Sequence, residues 1–274
     1  MHPDHIPNPT TEELSKLDRE VTFLPTANSS PEHLTSSQIQ EFNEQGYLMP
    51  FNGLQEGEAR DLRVYFDGML DAFRNLGRDS YSINTAHLRF ARVHHLLRHP
   101  AIVGPVSDLL GPDLIGWGAH FFCKLPKDGK RVPWHQDALY WPITPTRTVT
   151  VWLAIDDADQ ENANMRFLPR SHLHGPIDYD VTDANDVVLN LETKDAEKYG
   201  DTPVDATLTA GQFSMHADLL LHGSEANESN RRRCGITLRY AAASVKAYHD
   251  WHYKGIVVKG EDRDGNWADL PCPT

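Results

Sequence analysis

The chain has 274 residues and carries 26 Lys+Arg against 39 Asp+Glu, a formal net charge of -13, so its surface repels phosphate backbones and no nucleic-acid partner is expected. A chain of this length forms one domain around a single core. Its three cysteines, Cys123, Cys234 and Cys272, stand far apart in sequence, are odd in number and form no CxxC, which argues against a disulfide framework and a structural zinc site.

The opening Met-His-Pro-Asp-His-Ile-Pro has neither a basic nor an apolar signal region, and no run approaches the roughly 18 apolar residues that span a bilayer. A soluble protein of the cytoplasm, with no membrane partner, is expected. Residues 1–33 are rich in Pro, Thr, Asn and Ser, with one helical turn at Glu12–Leu17, and read as an arm lying on a single domain over 34–274. Thr35 or Ser36 then caps a helix that stops at Gly46. A second helix spans about Glu56–Leu76, where Leu62, Tyr65, Phe66, Met69 and Phe73 recur at three- and four-residue steps. A third covers about Ala101–Leu110 and ends at Gly111-Pro112. His94, His95 and His99 read as surface or packing residues.

From Leu114 the period becomes two. Strands are expected at Leu114–Lys124, 133–138, Thr148–Asp156, Met165–Leu168, Val187–Leu191, Gln212–His216, Leu219–Gly223 and Cys234–Ala242, with Ile256–Lys259 as an edge. In Thr148–Asp156, Val149, Val151, Leu153 and Ile155 share one face, while Thr150, Trp152 and Ala154 share the other. Helices first and several short strands afterwards, with turn signals between them, indicate a mainly β fold, a sandwich or barrel, and a double-sheet jelly roll satisfies the count. Residues 172–205 are polar and acidic, and a loop of that length is read as a lid.

The chemistry centres on Trp134-His135-Gln136-Asp137. On a strand His135 and Asp137 share a face and Gln136 points back. With one further imidazole, His222, they make two histidines and one carboxylate, the set that occupies one face of an octahedral Fe(II) and leaves three positions open. A bare HxD is also satisfied by a surface pair. His216, six residues before His222, is a competing ligand, but lacks the Gly-Ser-x-x-Asn-x-Ser sequel that follows His222.

Several segments together resemble the phytanoyl-CoA dioxygenase family of Fe(II)/2-oxoglutarate oxygenases, over about residues 34 to 260: the Leu34–Tyr47 opening, Trp134-His135-Gln136-Asp137-Ala138-Leu139-Tyr140-Trp141-Pro142, the Thr148–Asp156 strand, Glu161-Asn162 with Pro169-Arg170-Ser171-His172, and His222–Arg233. The resemblance implies a double-stranded β-helix, with His135, Asp137 and His222 as catalytic iron ligands and O2 and 2-oxoglutarate as co-substrates. It also implies that Arg233 holds the far carboxylate of 2-oxoglutarate and that Ser224 and Trp152 line the co-substrate pocket. Halogenating relatives carry Gly or Ala in place of the aspartate, so Asp137 points to oxygen insertion. Relatives carry Asn-Gly and Pro-Gly-Ser-His where this chain has Asn162-Ala163 and Pro169-Arg170, and the local turns are therefore expected to differ.

The implied activity is hydroxylation of an unactivated C–H of a small polar metabolite, such as an amino acid or an aminoalkylphosphonate like 2-aminoethylphosphonate, with release of succinate and CO2. A natural-product scaffold undergoing hydroxylation, desaturation or epoxidation is the alternative. A non-catalytic sensor of metal or 2-oxo acid, and a zinc hydrolase, are readings of other classes. Tyr140, Trp141 and Arg239 are candidate substrate contacts, Arg239 because it has the strand parity of Arg233. Arg231 and Arg232 are expected to be solvated. Lys124, Arg131, Arg147 and Arg166 are further cations that could meet an anionic head group, and no basic track for an acyl-CoA is evident.

Overall fold

Two antiparallel sheets with a cavity between them, and a helical layer outside one of them, make up residues 6–274, the part of the chain that the computed structural model describes. The helices are α1 (Thr11–Ser15), α2 (Ser36–Gln45), α3 (Glu56–Asn75), α4 (Ala91–Leu96) and α5 (Pro100–Leu110). The strands are β1 (Tyr47–Asn52), β2 (Leu114–Lys124), β3 (Val132–His135), β4 (Ile143–Thr144), β5 (Thr148–Ala154), β6 (Met165–Phe167), β7 (Asp180–Val181), β8 (Leu191–Glu192), β9 (Val204–Ala206), β10 (Gln212–Ala217), β11 (His222–Ser224), β12 (Arg233–Ala242), β13 (Lys246–Ala247) and β14 (Ile256–Lys259). The larger sheet runs β1-β10-β5-β12-β2-β14 and the smaller β3-β11-β6-β9, a jelly roll.

Capping chemistry sets the helical layer. Thr35 accepts from Gln38 N while the Gln38 side chain accepts from Thr35 N, and Gly46 ends α2 at φ 85°. The buried stripe of α3, Leu62, Phe66, Met69 and Leu70, packs on the larger sheet, and Phe66 stacks on Phe121 with ring centroids 4.8 Å apart. Each such burial contributes roughly 1.5–3 kcal/mol. Val149, Val151 and Leu153 of β5 join this core, and Thr150 and Trp152 face the cavity, as their alternation requires.

Some elements depart from the sequence reading. The strand expected over 133–138 stops at His135, and Asp137 opens a 3-10 turn, Asp137–Tyr140. The strand expected at Val187–Leu191 reduces to a single bridge of Val187 with Arg131 and the two-residue β8. Helix α4 and strands β1, β4, β7, β9 and β13 were not expected. The turns at Ala163 and Arg170 also keep a left-handed backbone, φ 61° and 69°, although neither residue is glycine.

A bulge in β2 is the least legible feature. Arg239 pairs with Gly118 but Tyr240 pairs with Gly116, so Trp117 is the extra residue. Its indole joins Ile115, Trp141 and Trp251 on the cavity side, whereas strict alternation would have sent it to the helical side with Ala119 and Phe121.

Residues 6–33 lie across the domain by specific bonds. Asp108 accepts from the backbone amides of Glu32, His33 and Leu34, Arg19 donates to the carbonyls of Ala138 and Trp141, and Trp251 donates to Pro7 O. No helix of the described residues is long and apolar enough to cross a membrane.

Candidate active site

One cavity of about 640 Å³ opens between the sheets, and the candidate iron ligands His135, Asp137 and His222, the candidate co-substrate residues Arg233, Ser224 and Trp152, and Tyr140, Trp141 and Arg239 all line it. β3 delivers His135 and β11 delivers His222 as directly paired cross-strand neighbours. Asp137 follows on the 3-10 turn, held because Gln136 points back and is clamped: its Nε2 donates to Leu219 O and Gly175 O, and its Oε1 accepts from Ile177 N. One donor atom from each of His135, Asp137 and His222 falls within 4.8 Å of the others, and all three residues are buried.

The hydrogen-bond pattern assigns the tautomers. His135 Nδ1 lies 2.8 Å from Pro133 O and His222 Nδ1 lies 2.9 Å from Leu220 O. A carbonyl can only accept, so each Nδ1 carries the hydrogen and each Nε2 keeps a free lone pair. Burial, then the neighbouring His222, pushes His135 down to about 3; burial, then His216, pushes His222 down to about 4. Both rings are therefore neutral at pH 7. Burial pushes the Asp137 carboxyl up, but His216, His222, Arg239 and His135 outweigh it and hold the group well below the usual carboxylate range. Thr150 Oγ1 donates to Asp137 Oδ2 at 3.0 Å and orients it. Two neutral imidazole donors and one anionic oxygen, facing a cavity on one side, are a donor set that fits Fe(II) with positions left for exchangeable ligands.

His216 is near this trio without joining it. Its Nε2 lies 3.8 Å from Asp137 Oδ2, its ring centroid 4.5 Å from that of His222, and neither ring nitrogen has a hydrogen-bond partner.

Arg233 marks one end of the cavity. Its Nε donates to Ala163 O at 3.0 Å and its Nη2 to Ser224 Oγ at 3.0 Å, while the guanidinium lies 5.5 Å from the Trp152 ring centroid. Among the described residues no carboxylate pairs with it. Gly235 makes this packing fit, because a Cβ there would stand 2.2 Å from the Trp152 ring. Ala163 adopts its left-handed turn where its carbonyl is aimed at Arg233. Lys124 is fully buried behind this end and donates to the carbonyls of Ser224 and Glu225 rather than into the cavity.

The other cations divide clearly. Arg131 pairs with Glu192 at 2.6 Å and Arg166 with Glu225 at 3.1 Å, outside the cavity. Arg231 pairs with Asp159 and Glu161, and Arg232, expected to be solvated, is held by Asp156 and Asp67. Arg239 instead enters the cavity, together with Tyr140 and Trp141. Tyr140 Oη accepts from Leu191 N at 2.9 Å, which ties the 172–205 segment to the site, and Leu189 of that segment lines the cavity.

Sequence reading missed Trp117, His120, Thr237, Trp251 and Lys254, all of which line the cavity. For His120 and Thr237 the signal was available: each has the parity of a cavity-facing neighbour, Gly118 or Arg239. Lys254 and Trp251 sit in a 3-10 turn, Trp251–Lys254, which has no period to read.

Comparison with known proteins bears on the family and the fold. The family model described as Phytanoyl-CoA dioxygenase matches residues 42–235. The chain is 28% identical over 186 residues to a probable alpha-ketoglutarate-dependent hypophosphite dioxygenase of Stutzerimonas stutzeri, covering 65% of this chain and 64% of that protein. It is 28% identical over 172 residues to the peroxisomal phytanoyl-CoA dioxygenase of Bos taurus, covering 60% of this chain and 48% of that one. The matches thus span less than two thirds of the length of either relative. Among solved structures, the non-heme monooxygenase ThoJ in its apo form superposes with a TM-score of 0.71 at 26% identity, over 85% of this chain and 87% of that one.

Proposed function

The chain belongs to the phytanoyl-CoA dioxygenase family, and we propose that it is an Fe(II)- and 2-oxoglutarate-dependent dioxygenase that hydroxylates a C–H of a small polar metabolite and releases succinate and CO2. In this reading His135, Asp137 and His222 hold the iron, Arg233 holds the far carboxylate of 2-oxoglutarate, and Ser224 and Trp152 shape its pocket. Residues 34–274 act as one oxygenase domain with residues 1–33 as an arm, in the cytoplasm. The observation that carries the proposal is that a buried His-Asp-His trio and an arginine without a carboxylate partner open onto the same cavity.

When bound, iron with 2-oxoglutarate and O2 supplies the oxidising chemistry that no side chain here can provide. The chain's residues bind and orient. Neutral His135 and His222 present lone pairs without a proton to displace, and ionised Asp137 contributes the charge. Thr150 and the carbonyls of Pro133 and Leu220 fix the directions of these donors. Arg233, itself fixed by Ala163 O and Ser224, offers its remaining N–H groups to a carboxylate in the planar fork that suits one. The indoles of Trp117, Trp141, Trp152 and Trp251 exclude water from the cavity wall.

An amino acid or an aminoalkylphosphonate such as 2-aminoethylphosphonate is the proposed substrate type, and the likeness to a relative named for hypophosphite supports a small polar molecule. A natural-product scaffold undergoing hydroxylation, desaturation or epoxidation is the second reading. The test is anaerobic addition of Fe(II) and 2-oxoglutarate, expected to give a visible charge-transfer band, followed by a screen of small metabolites for stimulated succinate release. Absence of the band, or hydrolysis supported by zinc alone, overturns the proposal; a band without turnover of any kind points to the sensor.

A further inference from the structure

The cavity has a second end, opposite Arg233, that the metal and co-substrate do not use. β12 reaches it: Arg239 stands six residues after Arg233, an even number, so both project from the same face. The Arg239 guanidinium lies 5.9 Å from the Trp117 ring centroid and 5.2 Å from that of Trp141. Lys254 Nζ lies 3.4 Å from the Trp251 centroid. The backbone that presents Lys254 is pinned, since His87 Nε2 donates to Lys254 O at 2.8 Å. Room for Arg239 comes from Gly118, where a Cβ would stand 3.2 Å from Arg239 Cδ.

Neither cation has a counter-ion among the described residues. Among the described residues Arg239 Nε has no hydrogen-bond partner, and the charge that acts on Arg239 is Asp137, which the proposed iron would take as a ligand. Lys254 has no acidic neighbour among the described residues; burial, then Arg239, pushes its ammonium down to about 7. Two cations held side by side in a buried wall are costly unless something negative joins them, and the indole faces offset only part of that cost. The imbalance extends to the whole cavity. In a chain of net charge -13, its described wall carries Arg78, Arg233, Arg239 and Lys254 against one carboxylate, Asp137.

We propose that Arg239 and Lys254, walled by Trp117, Trp141 and Trp251, form an anion-binding subsite that anchors a compact carboxylate, phosphonate or sulfonate group of the oxidised substrate. This rests on the oxygenase reading above and narrows its substrate class. The guanidinium offers paired N–H donors to two oxygens of such a group, and the ammonium offers a point charge to a third or shares one. Amines and neutral molecules are disfavoured at this end, because they leave the cations without a counter-charge. Arg78, also on the wall, favours entry of an anion.

The test uses the full chain loaded with Ni(II) and 2-oxoglutarate, titrated by tryptophan fluorescence with butyrate, propylphosphonate and propanesulfonate, against butyramide and butylamine. At least one anion is expected to bind about tenfold or more tightly than the amide and the amine, and the ranking of the three names the head group. Arg239→Gln and Lys254→Gln are each expected to weaken that anion about tenfold or more, while the Fe(II)–2-oxoglutarate band keeps its midpoint within about threefold. Equal binding of anion, amide and amine in the unmodified protein overturns the subsite without any variant. So does anion binding indifferent to both substitutions, or a loss of the 2-oxoglutarate band in Arg239→Gln that places this arginine at the co-substrate instead. Absence of the band in the unmodified protein is the separate failure of the oxygenase reading.

Discussion

His135 and His222 face each other across the β3–β11 ladder with ring centroids 4.1 Å apart, each ring locked by its own Nδ1–H to a carbonyl two residues earlier in the chain. The two donors are thus set by main-chain pairing before any metal arrives. Metal binding should stabilise the fold without rebuilding it. Ni(II) at a hundred times its dissociation constant is expected to add about 2.7 kcal/mol, or about 5 °C in melting temperature. His222→Ala should abolish the shift, read by scanning calorimetry with and without metal.

Arg233→Ala removes a buried cation that the co-substrate's carboxylate would neutralise. A loss of about 3–5 kcal/mol, two to four decades in 2-oxoglutarate affinity, is expected from titration of the anaerobic band, with Arg233→Lys recovering only part. Gly235→Ala tests the support beneath it. The new methyl collides with the Trp152 ring, so affinity should fall about tenfold although no polar contact is removed.

Asp218 gives a pH dependence in the metal-free protein. Burial, only partly opposed by the Thr148 hydroxyl, raises its carboxyl to about 7. The folded state therefore holds this proton more tightly than the unfolded chain, whose value is about 3.9. Its contribution to stability is fully present below about pH 4 and is lost as pH rises through about 7. Asp218→Asn should raise the melting temperature at pH 8 and leave it nearly unchanged at pH 4; equal shifts at both would contradict this origin.

Arg170 is exposed, and its backbone is left-handed at φ 69°. Arg170→Gly relieves roughly 1 kcal/mol of steric cost, partly offset by added freedom of the unfolded chain. A small gain in denaturant midpoint is expected, and a loss would show that the Asp201 contact or another feature of this turn outweighs the relief.

Much of this site could be read in the chain because it depends on local regularity. Val149 through Leu153 alternate cleanly, so the cavity face of β5, with Thr150 and Trp152, followed from parity alone. Thr35 and Gly46 marked α2 by their own capping chemistry. The face shared by His135 and Asp137 was reached by a premise that did not hold: the strand ends at His135, and the clamp on Gln136, with the turn beyond it, sets the position of Asp137. What stayed hidden depends on partners distant in sequence. The bulge at Trp117 exists only in the register of β2 against β12, and a lone lysine in a short turn, Lys254, gives no hint of the Trp251 ring it faces. Cys123 and Cys234, far apart in the chain, stand directly opposite each other on the same two strands, both as free thiols. The positive φ of Ala163 and Arg170 was misjudged because glycine is sufficient for such a turn but not necessary.

β12 carries an arginine at each end of the cavity, six residues or roughly 20 Å apart at about 3.3 Å per residue. A strand cannot stretch, so with the co-substrate fixed at Arg233 and an anion fixed at Arg239 the span left for the substrate's carbon chain is constant. The protein then works as a ruler. The carbon presented to the metal is chosen by its count from the charged end, and a substrate lengthened by one methylene at its far end should still be oxidised at the same position counted from its anion.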